Sequence, residues 1–137
     1  NNERTIIQET ITDTVFFSVP IKRRVSGIPL IEVTFNGNQT FEMLIDTGAT
    51  ITTITPTMAQ QLNLELGQTI PVATAGGIIQ TQLSKVNSLQ AGNLQVNNLL
   101  VSLTPSLPFG LLGQNFYGNY DLIIKENIVE FHPRNKN

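Results

Sequence analysis

Nowhere does this 137-residue chain sustain apolar residues at helical spacing over a long stretch. Short apolar and β-branched runs are instead cut by Gly, Asn and Pro, the pattern of strands joined by tight turns. Leu30 to Phe35 reads as a strand. Asn36-Gly37 is a hairpin signal, because both residues tolerate the positive φ that a tight hairpin turn needs. Thr40 to Ile45 is the returning strand, and Ile51 to Ile54 another. Pro56 to Leu62 reads as a short helix, with Thr55 as N-cap and Pro56 at the first helical position. Three further hairpins are expected. Ala75-Gly76-Gly77 lies between Ile70–Thr74 and Ile78–Leu83, Ala91-Gly92-Asn93 between Lys85–Gln90 and Leu94–Leu103, and Lys125-Glu126-Asn127 between Leu122–Ile124 and Ile128–Phe131. Leu111-Leu112 is a short apolar run closed by Gly113, and Gln114 to Tyr117 a helical turn. The expectation is an all-β domain, a closed or nearly closed barrel of hairpins with one or two short helices. Residues 28–137 form that domain. Residues 1–27 are more polar, carry the apolar patch Val15-Phe16-Phe17, and read as an arm or a pairing strand.

Composition narrows the function. With 13% charged residues and a formal net charge of −2, the chain has no basic face to neutralise phosphates, which argues against a nucleic-acid partner. Lys22-Arg23-Arg24 is its one basic cluster and reads as a solvated loop or edge. There is no cysteine, hence no disulfide framework, thiolate metal site or cysteine nucleophile. No apolar run has the ~20 residues of a membrane helix. The chain begins Asn1-Asn2-Glu3 without Met, so a soluble domain is expected, processed or excised from a longer or anchored protein, with its compartment left open.

One stretch stands apart. In "FEMLIDTGAT", residues 41–50, the apolar run Met43-Leu44-Ile45 delivers Asp46 into a Thr-Gly turn. Asp-Thr-Gly is good turn chemistry in itself, since Asp bonds its own backbone two residues on. A carboxylate on the end of a buried strand is also rigidly supported, as a catalytic group must be. Metal-free peptide hydrolysis by carboxyls needs two of them in different protonation states. At ~3 Å and an effective dielectric of ~20, two negative charges repel by on the order of 5 kcal/mol, so such a pair shares one proton. No second Asp-Thr-Gly exists here, and Asp13 and Asp121 lack the turn that follows Asp46. A two-fold homodimer would supply the missing carboxylate by setting Asp46 opposite its own copy.

These features make the sequence resemble the retropepsin-like aspartic proteases, and the cellular and bacterial members more than the viral ones. The likeness is carried by "LIDTGAT" at 44–50, "GLLGQNF" at 110–116 and the glycine-bearing hairpin "VATAGGIIQT" at 72–81, and spans roughly residues 28–124. It implies one half of a two-fold symmetric, all-β aspartic endopeptidase acting on peptide or protein substrates without a metal or other cofactor. By the same resemblance Asp46 is catalytic, and Thr47 bonds to the partner's copy across the axis. Gly48 and Ala49 complete the turn. Ala75, Gly76, Gly77 and Ile78 form a flap over the substrate, and Ile79, Leu111 and Leu112 line an apolar pocket. The arm at 1–27 and the long ending "DLIIKENIVEFHPRNKN" depart from the retroviral pattern and leave the form of the dimer interface open.

Other readings are weaker. The single histidine, His132 beside Pro133, reads as structural, which leaves no Ser-His-Asp triad. An aspartyl-phosphate phosphatase would need a second acid close behind Asp46, Mg²⁺ ligands and a helix-rich chain. The substantial alternative is a non-catalytic dimeric β-barrel that binds peptides or drives dimerisation. The segment "TVFFSVP" at 14–20 matches the apolar preference of the expected groove and is a candidate self-processing site, against the simpler reading as an edge strand.

Overall fold

The computed structural model describes residues 15–74, 76–105 and 107–134. The expected barrel is present. After β1 (Phe17–Pro20) and β2 (Arg23–Val25), β3 (Ile28–Phe35) and β4 (Gln39–Ile45) form the first hairpin. Asn36 and Gly37 both hold positive φ, 54° and 78°, in its turn, as a tight hairpin turn between right-twisted strands demands. β5 (Thr52–Ile54) and helix α1 (Pro56–Gln61) follow. The Thr55 hydroxyl accepts the N–H of Met58 at 3.2 Å, and Pro56 opens the helix where no N–H is needed. β6 (Thr69–Thr74), β7 (Gly77–Ala91), β8 (Leu94–Leu103), β9 (Gly110–Leu112), α2 (Gln114–Tyr117), β10 (Tyr120–Ile124) and β11 (Ile128–Pro133) complete the chain. None of the described helices is long and apolar enough to cross a membrane.

The main sheet runs β2-β3-β4-β9-β5-β8-β7-β6, and an additional β3–β7 pairing closes β3-β4-β9-β5-β8-β7 into a ring. Asn36 seals the closure. Its N–H donates to the Ser88 carbonyl at 2.8 Å, and its Oδ1 accepts the N–H groups of Asn87 and Ser88. Ile31, Val33 and Phe35 alternate into the core from β3, and Met43 and Ile45 from β4, the period of two that a half-buried strand requires. β2 pairs with β3 at the sheet's edge. There Lys22 and Arg23 pair with Glu32 and Glu42, so the basic cluster is a solvated edge as expected.

Two features differ from the sequence reading. Ile78–Leu83 and Lys85–Gln90 are one continuous 15-residue strand, β7. Ser84, between them, neither breaks the ladder nor wastes its hydroxyl: it pairs with Val101 and donates to the Glu65 carbonyl at 2.8 Å. The barrel is also more than hairpins, since β4 pairs with β9 and β5 with β8 in parallel. Parallel neighbours come from distant chain segments, so no turn between them marks the pairing.

A second sheet, β1-β11-β10, is antiparallel. Phe17–Pro20 of the arm is thus a paired strand, and its Val19 lies in the core. Residues 1–14 lie outside the described residues. Phe131 of β11 packs on Phe116 and Tyr117 of α2, with ring centroids 6.1 and 6.3 Å apart, fastening this sheet to the helix beside Asp46.

Candidate active site

Strand β4 ends at Ile45, and Asp46 is the next residue. Its N–H continues the parallel ladder by donating to the Leu112 carbonyl at 3.2 Å. The chain then turns. The Gly48 N–H donates to Asp46 Oδ1 at 2.9 Å and the Ala49 N–H to the Asp46 carbonyl at 3.1 Å. The turn and the presentation of the carboxylate are one arrangement: Oδ1 is held by the backbone, while Oδ2 has no hydrogen-bond partner among the described residues. A Cβ on residue 48 would stand 3.3 Å from Oδ1, so glycine keeps this approach uncrowded.

The second glycine motif locks the first. β9 lies parallel to β4, with Leu44 opposite Leu111 and Ile45 opposite Leu112. The two apolar runs that end in glycine turns are therefore neighbours in space. Beyond Leu112, Gly113 passes so close to β5 that a Cβ there would meet the Ile51 carbonyl carbon at 2.7 Å and the Thr52 nitrogen at 2.8 Å. Helix α2 has no side-chain cap. Its first N–H groups, those of Gln114 and Asn115, instead donate to the carbonyls of Ala49 and Thr50 at 2.8 and 3.0 Å. The side chain of Gln114 donates to the Thr47 carbonyl at 2.5 Å. Asn115 Oδ1 accepts from both the N–H and the hydroxyl of Thr52 at 2.8 Å, and its Nδ2 donates to the Leu100 carbonyl. From below, the Tyr117 hydroxyl donates to the Asp46 carbonyl at 3.2 Å. Burial first, and the negative charge of Asp46 second, raise the pKa of that phenol above its ordinary value, keeping it a protonated donor.

Asp46 lines a groove of about 580 Å³ together with the apolar Val72, Ala73, Ile79, Leu83, Leu107 and Leu111 and the hydroxyl-bearing Thr53, Thr81, Ser102 and Thr104. Gly48 and Ala49 also line it. Thr47 is exposed at the turn. Of the residues expected to form a flap, Ala75 lies outside the described residues, Gly76 is exposed, and Gly77 opens β7 at a φ of 121°. Ile78 points outward, 74% exposed, while Ile79 faces the groove opposite Val72. The pairing of Leu111 with Leu112 as pocket residues is corrected. Leu111 lines the groove, but Leu112 is fully buried in the core, because consecutive strand residues point to opposite faces. Among the described residues no cluster of His, Asp and Glu could hold a metal.

The sequence matches the family model described as "gag-polyprotein putative aspartyl protease" over residues 31–119. That span takes in both glycine motifs and the hairpin between them. The chain belongs to the retropepsin-like aspartic protease family. The retropepsin-like fold is matched by a solved structure, a retropepsin-like aspartic protease from Rickettsia conorii, at a TM-score of 0.65 and 20% identity, covering 85% of this chain and 91% of that one. No protein of curated function matches in sequence. Sequence reasoning missed Gln114, Asn115 and Tyr117, the residues that hold the retropepsin-like loop. It also missed the hydroxyl residues of the groove. Gln114 and Asn115 sit in the motif "GLLGQNF", whose legible features are its apolar pair and glycine, Tyr117 ends the helical turn that follows, and Thr53 sat in a run readable only as β-branched strand.

Proposed function

We propose that this chain is one half of a homodimeric aspartic endopeptidase, with Asp46 as the catalytic residue of each subunit. The observation that carries the reading is the state of Asp46. A single carboxylate lines a groove of about 580 Å³, one oxygen held by the Gly48 N–H and the other without a partner among the described residues. Next to it, Thr47 and Gly48 are exposed, which suits a second copy docking there. In such a dimer the two carboxyls share one proton. The ionised one takes a proton from a water held between them, the water oxygen attacks the peptide carbonyl, and the protonated one hydrogen-bonds the carbonyl oxygen as it gains charge. Proton return to the leaving nitrogen completes the cleavage and restores the shared proton. The β6–β7 hairpin carrying Gly76 and Gly77 is the flap that covers the bound peptide and excludes water. Val72, Ile79, Leu83, Leu107 and Leu111 favour apolar side chains on both sides of the cut bond. β10, an edge strand with exposed Ile123 and Ile124, offers backbone and apolar surface for the partner subunit.

The test is Asp46-dependent cleavage of a mixed peptide library at several pH values, with a dilution series. Asp46→Asn should lower the rate by at least about a hundredfold while the protein stays folded. Specific activity should fall on dilution in step with the dimer fraction measured by sedimentation, because assembly follows mass action. Full activity per chain in a monomer would overturn the dimeric site. Binding without any cleavage would favour the peptide-binding module instead.

A further inference from the structure

The groove floor is not uniformly apolar. The ladder sets Leu83 of β7 against Ser102 of β8, Ser102 against Thr53 of β5, and Thr53 against Leu111 of β9. One row across four strands therefore presents two hydroxyls between two leucines. Thr81, two residues before Leu83 on β7, adds a third hydroxyl to the same lining. Thr53, Thr81 and Ser102 are all buried apart from the groove side.

Their protons can be assigned. A hydroxyl has one proton to donate and two lone pairs to accept with. Thr81 Oγ1 donates to the Leu103 carbonyl at 2.5 Å, and Thr53 Oγ1 to the Ile51 carbonyl at 3.1 Å. The 3.1 Å contact between Thr53 Oγ1 and Ser102 Oγ must then carry the Ser102 proton. All three donors are committed inside the protein. What remains toward the groove is lone pairs, with Asp46 in the same lining and no Lys, Arg or His among its described residues. Thr104, partly exposed on the same wall, has no side-chain hydrogen bond among the described residues and keeps its proton available.

We propose that this row is a specificity subsite for a neutral carboxamide side chain, Gln foremost, near the cut bond. The two leucines pack the methylene stem, the acceptor floor takes the amide N–H protons, and Thr104 donates to the amide oxygen. A carboxylate of the same shape can take the Thr104 proton with one oxygen, but its other oxygen meets only acceptors where the amide offers its N–H protons, and it is rejected, since a buried charged oxygen facing lone pairs is strongly penalised. The assignment rests on the groove being the peptide site proposed above, and refines its apolar preference at one position.

The experiment uses one good peptide substrate with Gln, Met or Glu placed in turn at each position from two before to two after the cut bond, together with the uncleavable reduced-amide version of each peptide. At one position kcat/KM should run Gln over Met by about three- to tenfold, the worth of a neutral hydrogen bond, and Gln over Glu by about a hundredfold or more. Reduced-amide affinities measured by calorimetry should follow the same order. Thr81→Val and Ser102→Ala should each shrink the Gln preference over Met at that position and leave the order at the others. Cleavage with Gln never preferred to Met, or with Glu accepted as well as Gln, would overturn the subsite and leave the protease reading standing. The calorimetric order without cleavage would overturn the protease reading and support the subsite. Neither cleavage nor ordered binding would overturn both.

Discussion

Gln114 reaches from the first position of α2 to the backbone carbonyl of Thr47, its Nε2 2.5 Å from that oxygen. With the Tyr117 hydroxyl on the Asp46 carbonyl, it is one of two side-chain bonds among the described residues from α2 to the segment that carries Asp46 and Thr47. The same segment's backbone holds the turn's far end, through Gln114 and Asn115 to Ala49 and Thr50. The Asp46 loop is thus gripped at both ends.

Gln114→Ala should leave the fold nearly intact, at a cost of about 0.5–1.5 kcal/mol for a neutral hydrogen bond. It should lower kcat by about tenfold, because a small displacement of the loop misplaces the carboxylate. Gln114→Glu should do worse, since it sets an acceptor against the Thr47 carbonyl. Kinetics beside thermal unfolding separate the two effects. A kcat within twofold of wild type in both variants would show that the backbone bonds suffice.

The second prediction concerns acid. Glu130, buried on β11, accepts from His132 Nε2 at 2.8 Å and lies 3.1 Å from Lys125 Nζ. The bond from His132 first, and Lys125 after it, hold the Glu130 carboxyl below its ordinary range, outweighing the opposite push of burial. A carboxyl depressed in the folded state stabilises the fold above its unfolded value, about 4.3, and loses that contribution as pH falls through the lower folded value. Wild type should therefore melt above Glu130→Gln near neutrality, with the two curves converging below about pH 4. A separation unchanged over that window would refute the linkage.

The third concerns the N-terminal strand. Gly92, at φ 59°, passes so close to Ser18 that a Cβ would overlap the Ser18 carbonyl oxygen. Asn93 Oδ1 accepts the Ser18 N–H at 3.1 Å. Gly92→Ala should push β1 off this hairpin, beyond the ~1 kcal/mol of backbone strain alone. Limited proteolysis with mass spectrometry should find wild type intact between Phe16 and Pro20 and the variant nicked there. Self-processing in the "TVFFSVP" segment would appear as a new start in wild type incubated alone, with none in an Asp46→Asn sample.

Much of this protein was legible along the chain because the signals were local. Asn36-Gly37 announced a hairpin, since few other residues take two successive positive φ values. Thr55-Pro56 announced a helix start by cap chemistry. Asp46 drew attention as a charged residue on the end of an apolar strand, and the Asx bond to Gly48 follows from its own side chain. What lies between distant segments was not legible. The parallel pairing of β4 with β9 has no turn to mark it, so nothing in the Leu111-Leu112 run says that it runs beside Asp46. Which leucine faces the groove depends on the pleat of that pairing. The groove's hydroxyls come from three strands, and their proton assignments exist only once Thr53 stands 3.1 Å from Ser102. The sequence by itself determined the turns, the strand periods and the lone carboxylate, all set by neighbours a few residues away. Only the tertiary structure decided what faces that carboxylate, because register between segments more than sixty residues apart is set by barrel closure and core packing rather than by any local preference.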